Sequence, residues 1–295
     1  MNLNQLKYFN TVAEQGSVSK AAELLHISQP SLSAAIKELE EEFGTTLFNR
    51  HYRGVALTRE GNAFYKMSND IIKSAERCET AMRDMGMGRK ILRLGVPPMI
   101  GSVILPHIYN NFLKVEENIS LETAEGGYRE LLSDLENEKV DLAFLPHISP
   151  LPSELSSVTV GKMEIVCCTA ENNPITELES VNPKNLSKSR LVLFENSFFQ
   201  SKSILDWFKE EKITPNVLLR TEQLSTVISM VKKSDAVGFL YRELAADHPE
   251  LKFLPTEKPM NITVSLVWKA DKRLGNSMKR FIKFIEENNP LNQTD

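Results

Sequence analysis

Side chains able to make or break covalent bonds are scattered through this sequence, and none has a spacing that catalysis would use. His26, His51, His107, His147 and His248 lie far apart and offer no metal-ligand pattern. There is no G-x-S-x-G, H-E-x-x-H or C-x-x-C run. The glycines of "GMGRK" follow a helical stretch instead of a strand, so they do not form a dinucleotide loop. No catalytic residue, metal or cofactor is expected. What does stand close together is a set of small and hydrogen-bonding side chains in "SQPSLSAAIK": Ser28, Gln29, Pro30, Ser31, Ser33, Ala34 and Lys37, with Arg50 and Arg53 following. If Leu32, Ile36 and Leu39 turn inward on a helix, then Gln29, Pro30, Ser33, Ala34 and Lys37 turn outward. Glutamine pairs with an adenine edge, serine donates or accepts, alanine touches a thymine methyl, and lysine reaches a guanine or a phosphate. Small residues also let a helix backbone come close to a groove. The competing explanation is an ordinary solvated helix face.

The elements that would hold this helix are readable from periodicity. Leu3, Leu6, Phe9, Val12 and Ala13 have helical spacing, and Gly16 ends that helix. Ser17 caps a second helix with Ala21, Ala22, Leu24 and Leu25 as its core stripe. Ser28 caps the third, with Pro30 tolerated in its first turn; Leu32, Ile36, Leu39 and Phe43 form the buried stripe and Gly44 terminates it. "TLFNRHYRGVALT" reads as two short strands around a basic turn. A long helix then spans about Thr58 to Met87. Phe64, Met67, Ile71, Cys78, Met82 and Met85 recur along it every three or four residues, or multiples of that spacing. That stripe has no partner in the next element; a core helix is one reading, but length and position between units favour pairing of two subunits, chiefly through Phe64, Met67, Ile71, Cys78 and Met82. From residue 91 to 290 strands and helices alternate, which implies α/β units on mostly parallel sheets.

Bulk charge gives no sign of a polyanionic partner. The 295-residue chain carries a formal charge of −4. Residues 1–60 hold six basic side chains (Lys7, Lys20, Lys37, Arg50, Arg53, Arg59) against seven acids, Glu14, Glu23, Glu38, Glu40, Glu41, Glu42 and Glu60. Affinity for DNA rests largely on neutralised phosphates, so charge distribution must do the work. The N-terminus has no secretory pattern, no run is apolar enough to span a membrane, and three cysteines (Cys78, Cys167, Cys168) without framework spacing fit a reducing cytoplasm. Adjacent Cys167 and Cys168 lie in a strand-like run, where small apolar side chains fill space.

The order and wording of these motifs resemble the N-terminal region of LysR-type transcriptional regulators. The similarity is carried by "S-x-S-K-A-A-E-x-L" in the second helix, "S-Q-P-S-L-S" opening the third, "I-K-x-L-E-E-E-F-G-x-x-L-F-x-R", and "L-T-x-E-G" after the hairpin. Where this chain has Ala34, many members of that family carry a basic or polar residue, a departure that bears on base preference and leaves the docking mode intact. The resemblance implies an N-terminal all-α winged helix-turn-helix (residues 1–60), a long linker and dimerisation helix (61–88), and a C-terminal α/β effector module. That module would consist of two Rossmann-like subdomains, similar to periplasmic binding proteins: 90–162 with 265–290, and 163–264. It further implies double-stranded DNA with an interrupted inverted repeat as partner, a small-molecule effector in the cleft between subdomains, self-association as a dimer or tetramer, and no membrane partner.

In α/β folds such clefts lie beyond the carboxyl ends of strands. That rule selects Met99, Ile100 and Ser102 after the first strand, Gly127 and Tyr128 after the second, and Pro146 with His147 after the third. In the second subdomain it selects Glu195, Ser197 and Phe198, then Glu222, Gln223 and Leu224. A solute-binding protein or an enzyme built on the same α/β module remains the alternative from another class.

Overall fold

The structure, a computed structural model, describes residues 1–51, 54–87 and 90–291. They fall into two compact units, Met1–Met87 and Gly88–Asp295.

In the first unit α1 (Leu3–Gln15) opens with a reciprocal cap: Asn2 Oδ1 accepts from Gln5 N and Gln5 Oε1 from Asn2 N, both at 2.9 Å. Gly16 closes it in the left-handed conformation, φ 60°. α2 (Val18–Leu24) and α3 (Gln29–Phe43) follow, capped by Ser17 and Ser28. β1 (Phe48–His51) and β2 (Gly54–Leu57) pair antiparallel. The hairpin is pinned to the end of α1, where Val55 N donates to Gly16 O at 2.9 Å. Gly54 permits this approach. Its φ is +138°, and a Cβ there would lie 2.3 Å from the Gly16 carbonyl oxygen.

Phe9, Val12, Ala21, Ala22, Leu32, Ile36, Leu39, Leu47 and Phe48 form the core of this unit. Fully buried Phe9 meets the rings of Phe48 at 5.0 Å and Phe64 at 4.9 Å. Truncating such a side chain costs about 3–5 kcal/mol. Two expected core positions lie elsewhere. Leu24 is 60% exposed because α2 ends there and turns it away. Phe43, in the last turn of α3, is exposed, with its ring 5.3 Å from that of Phe64.

α4 (Arg59–Met87) has 29 residues and is about 43 Å long at 1.5 Å per residue. Thr58 Oγ1 caps it, accepting from Gly61 N at 2.8 Å. Its start is fixed to α1 by a buried hydrogen bond from Ser68 Oγ to Asn10 Oδ1 (2.6 Å) and by Tyr65 Oη to Glu14 (3.0 Å). Phe64, half-buried, packs against the core of this unit between Phe9 and Phe43. Met67, Ile71, Cys78 and Met82 are exposed; the side chain of Met85 lies outside the described residues.

The second unit is built on one mixed sheet of β3 (Lys90–Val96), β4 (Ile119–Glu125), β5 (Leu142–His147), β6 (Leu155–Ala170), β7 (Arg190–Phe194), β8 (Asn216–Thr221), β9 (Val237–Tyr241), β10 (Leu251–Leu254) and β11 (Met260–Lys269). The order is β4-β3-β5-β11-β6-β9-β7-β8, with β10 on β6. The outer strands run parallel, as β3 with β4 and β5, and β7 with β8 and β9. Antiparallel β6 and β11 join the two halves, so the sheet is mixed instead of mostly parallel. The early part of β6 pairs with the end of β11, which also carries β5; its later part pairs with β9. A bulge falls between Val264 and Ser265. The expected subdomain boundaries at 162/163 and 264/265 thus lie within these two strands.

Helices α5 (Pro98–Ile108), α6 (Tyr128–Glu136), α7 (Phe199–Glu210), α8 (Leu224–Lys233) and α9 (Asn276–Glu287) flank the sheet. α5 starts directly after β3, with Pro98 in its first turn, where a missing N–H costs nothing. Pro106 inside the helix lacks a donor, and the chain continues as a π-helical turn, Tyr109–Leu113. The paired Cys167 and Cys168 are fully buried on β6. Among the described residues no helix is long and apolar enough to cross a membrane.

Candidate functional site

α3 presents its N-terminal half to the exterior. Ser28, Gln29, Pro30, Ser31, Ala34 and Lys37 are all exposed. Ser28 Oγ accepts from Ser31 N (3.2 Å) and lies 2.7 Å from Ser31 Oγ. Gln29 Oε1 accepts from Ser19 Oγ at 3.0 Å, which orients its amide and ties α2 to α3. Ser33 differs from expectation. It sits on the flank of the buried stripe and is half-buried, lining a narrow void with Val12, Val18, Ile36, Phe48 and Val55. Arg50 is in β1, opposite Val55. Its side chain and the whole of Arg53 lie outside the described residues.

The glutamates at the end of α3 are engaged within the unit. Glu38 accepts from Gln5 Nε2 (3.0 Å), and Glu40 Oε1 from Leu47 N (2.7 Å) and Phe48 N (3.2 Å). Glu41 pairs with Lys37 (3.2 Å), and Glu42 with the Met1 amino group (2.5 Å). Glu38, Glu40 and Glu42 thus hold the helix end to α1, the hairpin and the N-terminus, whereas Glu41 lies beside Lys37.

In the second unit the loops after the strands meet at one point. Tyr128 N, at the start of α6, donates across the cleft to Ser197 O at 3.2 Å. Gly127 makes this possible, because a Cβ there would lie 2.6 Å from the same oxygen. Gly127 N itself donates to Glu130 Oε2 at 2.9 Å. Beside this clasp Phe198, nearly buried and 5.2 Å from the Phe194 ring, borders three spaces.

The largest space is a chamber of about 810 Å³. Tyr128, Arg129, Phe199, Lys202, Trp207 and Lys258 are among its walls. A second, of about 520 Å³, is lined by Ser102, Glu125, Glu130, Glu222, Gln223 and Leu224. Between them a closed void the size of one water molecule touches Met99, Pro146, Gln200 and Tyr241. Gln200 is buried; its Nε2 donates to Phe239 O, and its Oε1 has no partner among the described residues.

Of the positions selected from sequence, Ser102, Tyr128, Ser197, Phe198 and Leu224 border a chamber, and Gly127 forms the clasp. Met99 and Pro146 reach only the small void. Ile100 is fully buried in the core, on the same face of α5 as Ile104 and Ile108. Glu195 borders neither chamber; its N–H donates to Thr221 O at 3.1 Å. His147 lines the large chamber with both ring nitrogens engaged, by Ser149 O and Ser265 Oγ, each at 2.9 Å. Sequence reasoning missed Arg129, Lys202, Trp207 and Lys258. Arg129 directly follows the selected Tyr128, and Lys202 lies four residues after the selected Phe198, so extending the search by one helical turn would have found them. Lys258 arrives from the loop before β11, which no strand-end rule selects.

Burial pushes the Cys168 thiol up to about 12 and the Cys167 thiol well above its usual range, with the neighbouring sulfur adding to the latter. Both are poor nucleophiles. Among the described residues no cluster of His, Cys, Asp and Glu can hold a metal ion.

A capped helix pair, an exposed third helix and a hairpin, followed by a long helix and a two-lobed α/β module with a cleft, define a DNA-binding regulator with an effector-binding domain. Residues 3–62 match the bacterial regulatory helix-turn-helix proteins of the lysR family, and residues 86–290 match the LysR substrate binding domain. The chain belongs to the LysR family and is a LysR-type DNA-binding transcription regulator. It is 27% identical to the HTH-type transcriptional regulator CzcR of Bacillus anthracis, over 99% of both chains. It is 29% identical to CzcR of Bacillus subtilis (strain 168), over 97% of this chain and 98% of the relative. Among solved structures it resembles full-length CbnR complexed with its target DNA, at a TM-score of 0.67 and 21% identity over 97% of this chain and 99% of that one. The effector binding domain of QuiR in complex with shikimate aligns at a TM-score of 0.60 and 21% identity, over 68% of this chain and 97% of that domain.

Proposed function

We propose that the protein works as a dimer, or a tetramer built from dimers, which places one α3 in each half of an interrupted inverted repeat and responds to a small molecule held between the two halves of its α/β module. The exposed N-terminal half of α3, carrying Gln29, Ser31, Ala34 and Lys37 on a rigid, internally neutralised scaffold, is the observation that carries this reading. Gln29 and Ala34 read base edges, Lys37 holds a phosphate or a guanine, and Arg50 and Arg53 of the hairpin contact flanking phosphates. Met67, Ile71, Cys78 and Met82 of two α4 helices cover each other. The effector biases the closure of the cleft, which changes the spacing of the bound half-sites. The protein acts in the cytoplasm, where the chromosome is, needs no cofactor and turns over no substrate.

DNA binding as a function of salt tests this. Lys37→Ala should weaken binding and reduce the slope of log K against log salt by roughly 0.9 per lost phosphate contact, hence about 2 in a dimer. An unchanged affinity and slope would remove Lys37 from the interface.

A further inference from the structure

The two chambers of the cleft are sorted by charge. Glu125, Glu130 and Glu222 line the smaller one, and no lysine or arginine joins them. The larger one has Arg129, Lys202 and Lys258 in its wall, all exposed and none paired with a carboxylate among the described residues. Arg129 stands in the first turn of α6 and Lys202 in the first turn of α7, so both belong to the helix starts that meet at the Gly127–Ser197 clasp. The two acids of the larger chamber, Asp206 and Glu210, follow Lys202 at successive four-residue steps along α7, so Asp206 stands one turn from Lys202 and Glu210 closes the helix. The same wall carries apolar and ring-bearing side chains: Phe199, Trp207, Met260 and Ile262. At about 810 Å³ the space suits a small organic molecule, not a bare ion.

We propose that the larger chamber binds an organic anion with an apolar, ring-sized body, its acidic group held by Arg129 and Lys202 beside the clasp and its body against Phe199 and Trp207. This rests on the reading of the cleft as the effector site and specifies the chemistry of that effector. The three unpaired cations account for recognition of the acidic group, since charge-assisted bonds to a carboxylate or sulfonate are the strong ones available there. The glutamates of the other chamber repel the same group, which gives the ligand one orientation.

Two dyes separate charge from shape. 8-Anilinonaphthalene-1-sulfonate and N-phenyl-1-naphthylamine share one body, and only the first is an anion. Binding to the full-length protein is followed by energy transfer from tryptophan. The chain has two tryptophans, Trp207 in the chamber wall and Trp268 on β11, so Trp207→Phe identifies the donor. We expect the anionic dye to bind about tenfold or more tighter than the neutral one. The double substitution Arg129→Gln and Lys202→Gln should weaken the anionic dye about tenfold and leave the neutral dye unchanged. Added salt should weaken the anionic dye alone on the unsubstituted protein, a readout independent of how the double variant folds. Equal affinities quenched at Trp207 would overturn the anion while keeping a ligand chamber. Transfer that is undiminished in Trp207→Phe, or no binding of either dye, would overturn both the proposal and the reading of the cleft.

Discussion

Cys167 and Cys168 show how strongly position governs the chemistry of a side chain. On an exposed strand two adjacent thiols would invite oxidation. Here the interior withholds the thiolate form from both. Iodoacetamide at pH 8 should therefore leave these two unmodified in the native protein and modify them after unfolding in urea, as peptide mass spectrometry would report. Native modification at Cys168 would contradict its burial. The raised value also sets a sign. Above the ordinary thiol value of 9.0 the unfolded state loses these protons first, so stability should fall as pH climbs from about 9 toward 12. At this scale the sequence was informative where neighbours decide the outcome: capping by Ser17, Ser28 and Gly44 follows from residue type and spacing alone. Ser33 was harder, because one helical step separates an outward position from the flank of a core, and only packing against Val18 and Val55 decides between them.

At the scale of elements, α4 has two parts with different obligations. Its beginning is committed to α1 through Ser68, Tyr65 and Phe64. Met67, within that same stretch, and Ile71 and Met82 farther along face outward at 57%, 45% and 61% exposure. Replacing Ile71 with glutamate should convert dimers to monomers in sedimentation velocity, with the unfolding midpoint of the first unit nearly unchanged because the side chain touches no internal core. Loss of folding in place of loss of dimer would assign Ile71 to the interior. The long helix and its stripe were legible because one period runs unbroken. The assignment of Phe64 was not, since both alternatives require an apolar residue at that position. Ile100 was not legible either: the strand-end rule selected its position, but the phase of α5 carries its side chain into the core. β10 and the polar early part of β6 also escaped notice, because their pairing partners are remote in sequence.

For the whole molecule, the clasp between Tyr128 N and Ser197 O ties the halves of the α/β module together across the cleft. Gly127→Ala inserts a methyl group into the Ser197 carbonyl, so the clasp should open. Acrylamide should then quench Trp207 more effectively, and regulation in a reporter assay should lose its response to effector while DNA binding persists. Unchanged quenching would mean that the clasp tolerates the extra carbon. The sheet that carries this clasp also constrains how the protein is made. β5 completes its pairing only with β11, and the His147–Ser265 hydrogen bond joins residues 118 positions apart. At roughly 5–20 residues per second, a ribosome needs about 6–24 s to traverse that distance. During this interval the newly made first lobe exposes the open edge of β5 to every other nascent chain nearby. Chaperone occupancy during synthesis should therefore peak after β5 emerges and end when β11 does.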